Sequence, residues 1–135
     1  MTEFNQRLYI VMREDLWDMN PGKGMAQSAH AQADFDAYID DNCEPEYSQY
    51  NKLWVNVLEW REDRNFGVTL VLSATLDDMH KIHETITHSG MTVDPTYPYR
   101  NWYGKVFTSE EITCMWAFVY EESEIEFMKQ WELHK

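Results

Sequence analysis

The sequence predicts an α/β fold, a three-layer domain in which a small mixed four-stranded sheet is flanked by helices, with residues 1–135 forming a single domain. Three observations predict it. Short apolar runs of strand length recur at 8–15, 68–74 and 112–121. Segments between and after them repeat apolar residues every three or four positions, which is the period of a helix buried on one side. The length of 135 residues with 44% hydrophobic content is enough for one core and too short for two.

The elements follow in order. LYIVMRED (8–15) is apolar without a break from Leu8 to Met12, as in a strand buried on both faces, and its acidic end marks the mouth of the sheet. Asn20 and Pro21 supply an N-cap and a first-turn proline for a helix running to about Ile39, with Met25, Ala26, Ala29 and Ala33 as its sheet-facing side. After the polar break at 40–46, a second helix at 46–63 carries Tyr50, Leu53, Trp54, Val57, Leu58 and Trp60. VTLVLSA (68–74) predicts a second buried strand. Thr75 then caps a helix whose Leu76, Met79, Ile82 and Ile86 face the core, with Gly90 as its end. Residues 91–94 predict a short strand, followed by a proline-containing loop to 111. ITCMWAFVYE (112–121) is the last strand, and Ser123 with Glu126 predicts a capping box for a final helix striped by Ile125, Phe127, Met128 and Trp131. The order is β-α-α-β-α-β-β-α.

Composition narrows the function. Eleven Lys and Arg against 24 Asp and Glu give a net charge of −13, which repels polyanions and excludes a broad nucleic-acid-binding surface while permitting a small basic site. No apolar run reaches the roughly 18 residues of a membrane span, and MTEFNQR lacks a secretory leader, so a soluble, cytoplasmic protein is expected. Cys43 and Cys114 form no CxxC spacing and suit a reducing compartment. His80 and His83, beside Asp77 and Glu84, lack the H-E-x-x-H order, so no metal is expected. There is no G-x-S-x-G elbow. A homodimer is left open.

Chemistry concentrates in MNPGKGMAQSAHAQADF (19–35). At 100° per residue, Lys23, Gln27 and His30 stand at i, i+4 and i+7, within about 60° of one another and opposite the alanines. A lysine in the first helical turn adds positive charge where backbone N–H groups already favour an anion. The stretch is neither a Walker loop, since Trp17 and Gly24 stand where a glycine and a hydroxyl are needed, nor a GxGxxG fingerprint. On spacing alone, a solvated helix face accounts for the same three residues.

The run R-E-D-L-W-D-M-N-P-G-K-G-M-A-Q-S-A-H-A (13–31) resembles the N-terminal signature of the type 2 peptidyl-tRNA hydrolase family. In that family a strand ends in R-x-D-L, and M-x-x-G-K-x-A-A-Q-x-x-H-A opens the first helix. Met19, Gly22, Lys23, Ala26, Gln27, His30 and Ala31 keep register, with Met25 in place of one alanine and one residue inserted between Leu16 and Met19. The resemblance is strongest there and extends over about 7–134. The Thr113-Cys114 pair is similar to that of a divergent branch, the peptidyl-tRNA hydrolase domain-containing proteins.

This resemblance implies hydrolysis of the ester joining a peptide to the 3′-ribose of tRNA, in translation, with neither metal nor organic cofactor. Lys23 would orient substrate or stabilise charge at the attacked carbonyl, and Gln27 would position the ester or a water. Arg13 and His30 would contact phosphate or ribose. The family's second signature, D-A-G-x-T-Q, is missing: counting back from Thr113 sets Asn101, Lys105 and Val106 where Asp, Thr and Gln would stand. Asp94 is the candidate replacement carboxylate, with a turn cap before Pro95 as its alternative role. Tyr97, Tyr99, Arg100, Trp102, Tyr103 and Lys105 are candidates for stacking a base and contacting a phosphate, or for hydrophobic packing. Two functions are expected in competition, an esterase acting on peptidyl-tRNA and an inactive module capturing a nucleotide-like ligand or a protein. An acidic mimic of nucleic acid would need carboxylates arrayed on one face, whereas these are scattered.

Overall fold

The computed structural model describes residues 6–16, 21–42, 51–62 and 67–132. The chain runs β1 (Arg7–Arg13), α1 (Pro21–Asn42), α2 (Asn51–Glu62), β2 (Thr69–Ala74), α3 (Leu76–Thr85), β3 (His88–Arg100), β4 (Val106–Val119) and α4 (Glu122–Glu132), the expected order. The N-cap expected at Asn20, together with Cys43 and Tyr50, lies outside the described residues.

The sheet order is β2-β1-β4-β3, with β1 parallel to β2 and antiparallel to β4, and β3 antiparallel to β4. Alternate residues of the central strands feed two cores. Tyr9, Val11, Met115 and Ala117 pack with Met79, Ile82, Met128 and Trp131 on the α3/α4 face. Leu8, Ile10, Trp116 and Phe118 pack with Phe35, Leu53, Val57 and Trp60 on the α1/α2 face. The sheet is therefore the middle layer, and the continuous apolar run of β1 is explained by burial on both sides.

Five expectations are corrected. Residues 91–111 are no short strand and loop: β3 and β4 form one long hairpin whose ladder continues to Arg100 opposite Val106. Asn101 closes its tip, its side-chain oxygen accepting from the backbone N–H of Tyr103 and Lys105, while Gly104 supplies the positive φ the turn needs. Proline 95 falls at a bulge, where a ladder tolerates it. Gly90 does not end α3, which stops at Thr85 with Ile86 as C-cap. It sits in β3 because a Cβ there would come within 2.6 Å of the Trp116 indole nitrogen. The strand at β2 is an edge strand with alternating burial, leaving Val71 61% exposed. The final helix starts at Glu122, its first turn closed by the N–H groups of Glu124 and Ile125 on the Glu121 carbonyl, so Ser123 lies inside the helix.

The largest correction concerns α1. Met25 is 74% exposed, Ala26, Ala29 and Ala33 also face outward, and the buried side is Gln27, Ala31, Phe35 and Ile39. Side-chain size decides the rotation. Burying a phenylalanine and an isoleucine is worth about 1.5–3 kcal/mol each, far more than alanine methyls offer. Phe35 accordingly stacks on Phe118 at 5.6 Å and meets Trp60 edge-on. The edge bearing Gln27 is thereby turned toward the sheet.

Candidate active site

Beyond Met12, β1 no longer pairs with β4, whereas the β3–β4 hairpin continues as an arm reaching past the end of the central sheet. The N-terminal turns of α1 lie against this arm. Lys23 donates to the Pro98 carbonyl at 2.8 Å, and its ammonium stands 5.2 Å from the centroid of the buried Tyr97 ring. One cation thus binds the helix start to the arm through a hydrogen bond and a cation–π contact.

One turn on, Gln27 is 4% exposed and held at both ends of its amide. Its Nε2 donates to Asp94 Oδ2 at 2.9 Å, and its Oε1 accepts from the Thr113 hydroxyl at 2.6 Å. Because a carboxylate only accepts, Asp94 fixes which end of the amide faces it. His30 Nδ1 lies 3.3 Å from the same Oε1 and donates to it in the tautomer protonated there. The other oxygen of Asp94 accepts from the Thr96 N–H at 2.9 Å, so the turn before Pro95 also holds this carboxylate in place.

Two bulges build this arrangement. Between Thr92 and Val93 the partner on β4 jumps from Cys114 to Ile112, leaving Thr113 as the extra residue. Strand alternation would send neighbouring side chains to opposite faces, but here both Thr113 and Cys114 reach α1. Cys114 Sγ donates to the Gln27 backbone carbonyl at 3.0 Å while Thr113 meets its side chain. Burial pushes the Cys114 thiol up from its ordinary range, keeping it protonated as a donor. A second shift between Asp94 and Tyr97 places the extra residue on β3 and gives Asp94 its turn. Beside this cluster, Thr92 donates to Asp34 at 2.7 Å, and a hollow of about 280 Å³ opens among His30, Asp34, Asp94 and Pro95.

A larger hollow of about 490 Å³ lies between the end of β1 and the arm. Arg13 is on its wall, donating to Asp15 at 2.7 Å, to Glu111 at 3.0 Å and to the Ile112 carbonyl at 3.1 Å. Its charge is met by two carboxylates. Burial alone would raise the Asp15 carboxyl, but the Arg13 guanidinium and the Leu76 N–H outweigh it and hold Asp15 below its ordinary value. Arg100 lines the same hollow, while Lys105 stands at the arm's tip over the Phe107 ring at 5.4 Å.

The fold therefore joins Lys23, Gln27, His30 and Asp94 in one neighbourhood, with Arg13 and Arg100 on the adjoining hollow and Lys105 beyond it. Sequence reasoning missed Thr113 as a partner of Gln27, Glu111 as a partner of Arg13, and the Asp34–Thr92 pair. The one signal for Thr113 was a buried polar residue inside an apolar strand, which must find a hydrogen-bond partner. Among the described residues no cluster of His, Cys, Asp and Glu suits a metal ion, and no helix is long and apolar enough to cross a membrane.

Gln27 on the first helix thus meets a carboxylate and a hydroxyl from the arm, one turn from Lys23, although the D-A-G-x-T-Q motif is absent. No curated protein matches the chain. A family model described as peptidyl-tRNA hydrolase PTH2 matches residues 6–126, from β1 into α4, and the chain belongs to that family.

Proposed function

We propose that this protein hydrolyses the ester between a peptide, or an N-acyl amino acid, and the 3′-ribose of tRNA. The observation carrying the proposal is the clamped Gln27 amide, held between Asp94 and Thr113 one turn from the Lys23 ammonium. In this reading the Asp94 carboxylate accepts a proton from the attacking water, whose oxygen bonds to the ester carbonyl carbon. Lys23 stabilises the oxyanion that forms, the carbon–oxygen bond to ribose breaks, and the ribose oxygen leaves with the proton that Asp94 had taken from water, which restores the carboxylate. Gln27 holds Asp94 in position, and His30, exposed on the same helix, contacts ribose or phosphate. Arg13 shapes the adjoining hollow, since its charge is met by Asp15 and Glu111. Arg100 and Lys105 supply local positive charge on the arm of an otherwise acidic chain.

The test is turnover of a defined N-acetyl-aminoacyl-tRNA by the purified protein. Lys23→Ala is expected to lower kcat about 10²–10³-fold, the usual loss on removing one oxyanion donor, with far-UV circular dichroism unchanged. Turnover no faster than the buffer blank would sink the enzyme reading.

One observation favours a second reading, a binding module on the same fold. Both ends of the Gln27 amide are engaged and buried, so a ligand reaches that amide only by displacing a partner. Thermal stabilisation by a non-hydrolysable acyl-amide analogue of the tRNA 3′ end, without product from the ester, would favour it.

A further inference from the structure

We propose that the smaller hollow, between α1 and β3, receives the side chain of the amino acid esterified to the tRNA ribose, and that Asp34 makes it select a basic side chain, lysine or arginine. The inference rests on the hydrolase reading for the bond that is cut, and it names the acyl class that the site prefers.

Position follows from the chemistry. In the proposed reaction Asp94 activates the water that attacks the ester carbonyl carbon, and only Cα separates that carbon from the side chain of the acyl residue. Asp94 is itself a wall of this hollow. A group attached at Cα therefore stands beside the hollow once the carbonyl is within reach of the carboxylate. The volume of about 280 Å³ falls just below the range of sites for whole ligands and suits one side chain. His30, on the same wall, faces Gln27 Oε1 with Nδ1 at 3.3 Å.

Polarity narrows the occupant. Ala33, Val93 and Pro95 give the hollow an apolar lining fit for methylenes, while Asp34 and Asp94 give it two carboxylates. Among the described residues neither carboxylate has an ion-pair partner. The larger hollow is different, since Arg13 there meets both Asp15 and Glu111. Thr92, a hydroxyl residue 4% exposed, donates to Asp34 Oδ2 at 2.7 Å and leaves Oδ1 without a partner among the described residues. Lysine and arginine carry an apolar stem with a cation at its end, which matches this lining. A glutamate side chain would instead bring a third negative charge beside two that no cation balances.

The net charge of −13 attracts cations everywhere, so the test separates the local carboxylate from the global field. Non-hydrolysable 3′-amino-3′-deoxyadenosine amides of N-acetyl-lysine, N-acetyl-alanine and N-acetyl-glutamate are titrated calorimetrically into the whole chain. The lysyl amide is expected to bind about ten-fold more tightly than the glutamyl amide, the scale of two partly exposed charge pairs. Asp34→Asn keeps an oxygen for Thr92 and should shrink that ratio to below about three-fold, with the alanyl amide's affinity unchanged. Asp36→Asn removes the same charge from the same helix, outside the hollow, and should leave the ratio as it was. Equal affinity for the lysyl and glutamyl amides, or no binding of any amide at millimolar ligand, would overturn the proposal. So would a ratio that survives Asp34→Asn or falls as far in Asp36→Asn. Selective amide binding with no turnover of N-acetyl-lysyl-tRNA above the buffer blank would overturn the enzyme reading and leave the selective hollow standing.

Discussion

Asp94 and Gln27 form the hydrogen-bonded pair on which the proposed chemistry turns, and their contact is open to substitutions that preserve shape. Asp94→Asn keeps an oxygen for the Gln27 amide and so should retain the fold, yet it removes the carboxylate proposed to accept a proton from water. Turnover is expected to fall about 10²–10⁴-fold, the range for loss of a general base, with the thermal midpoint nearly unchanged. Gln27→Ala differs, because it strands the Thr113 hydroxyl inside the core. It should cost about 1–3 kcal/mol in a urea melt, the penalty for an unsatisfied buried polar group. Cys114, wholly buried and with its thiol pushed up, should resist Ellman's reagent in a Cys43→Ser background until the chain is unfolded. At this scale the sequence was partly legible. Lys23, Gln27 and His30 could be aligned by counting along a helix, and Asp94 was reachable as a carboxylate in need of a role. Thr113 was not, since its direction depends on a bulge that strand alternation alone does not reveal.

Among the elements, α1 and the arm carry the consequences. Lys23 and Gln27 lie on the side of α1 turned to the sheet because Phe35 and Ile39 fix its rotation, and the small alanines follow outward. Gly24 is in this helix with open space where a Cβ would sit. Gly24→Ala should therefore stabilise the protein by about 0.5–1 kcal/mol through helix propensity. A stabilised variant with impaired turnover would indicate that substrate needs the bare backbone at this turn. Gly90→Ala should do the opposite, driving a methyl into the Trp116 indole and costing about 1–3 kcal/mol, read by chemical denaturation. The proline-containing stretch of the arm reads as a loop when taken alone. Its strands appear only because β4 supplies a partner and the bulges absorb the residues that do not fit the ladder.

Across the whole molecule, pH acts through a group remote from the site. His88 Nδ1 lies 2.8 Å from the Tyr38 hydroxyl, accepting from it in the tautomer protonated at Nε2, the ring stacks near Tyr120, and burial lowers its pKa from 6.5. A folded value below the unfolded one means that the fold favours neutral imidazole. That contribution is complete above about pH 6.5 and is lost as pH falls through the folded value. His88→Gln should flatten the stability slope below pH 6.5, measured as urea midpoints at stepped pH. The net charge of −13 adds a second global effect: affinity for any RNA, read by titration at stepped salt, should rise less than usual as salt is lowered, because repulsion is least screened there.

The sequence by itself determined the order of elements, the two-sided burial of β1, the location of the cationic helix start and the family. Each of these depends on short-range pattern, such as an apolar run, a helical period or a dense motif. Tertiary structure alone decided which face of α1 meets the sheet, how far the β3–β4 arm extends, and that Asp94 and Thr113 grip Gln27 from separate strands. Those outcomes depend on competition between side chains for one interior and on ladder register, quantities that no single segment of the chain contains.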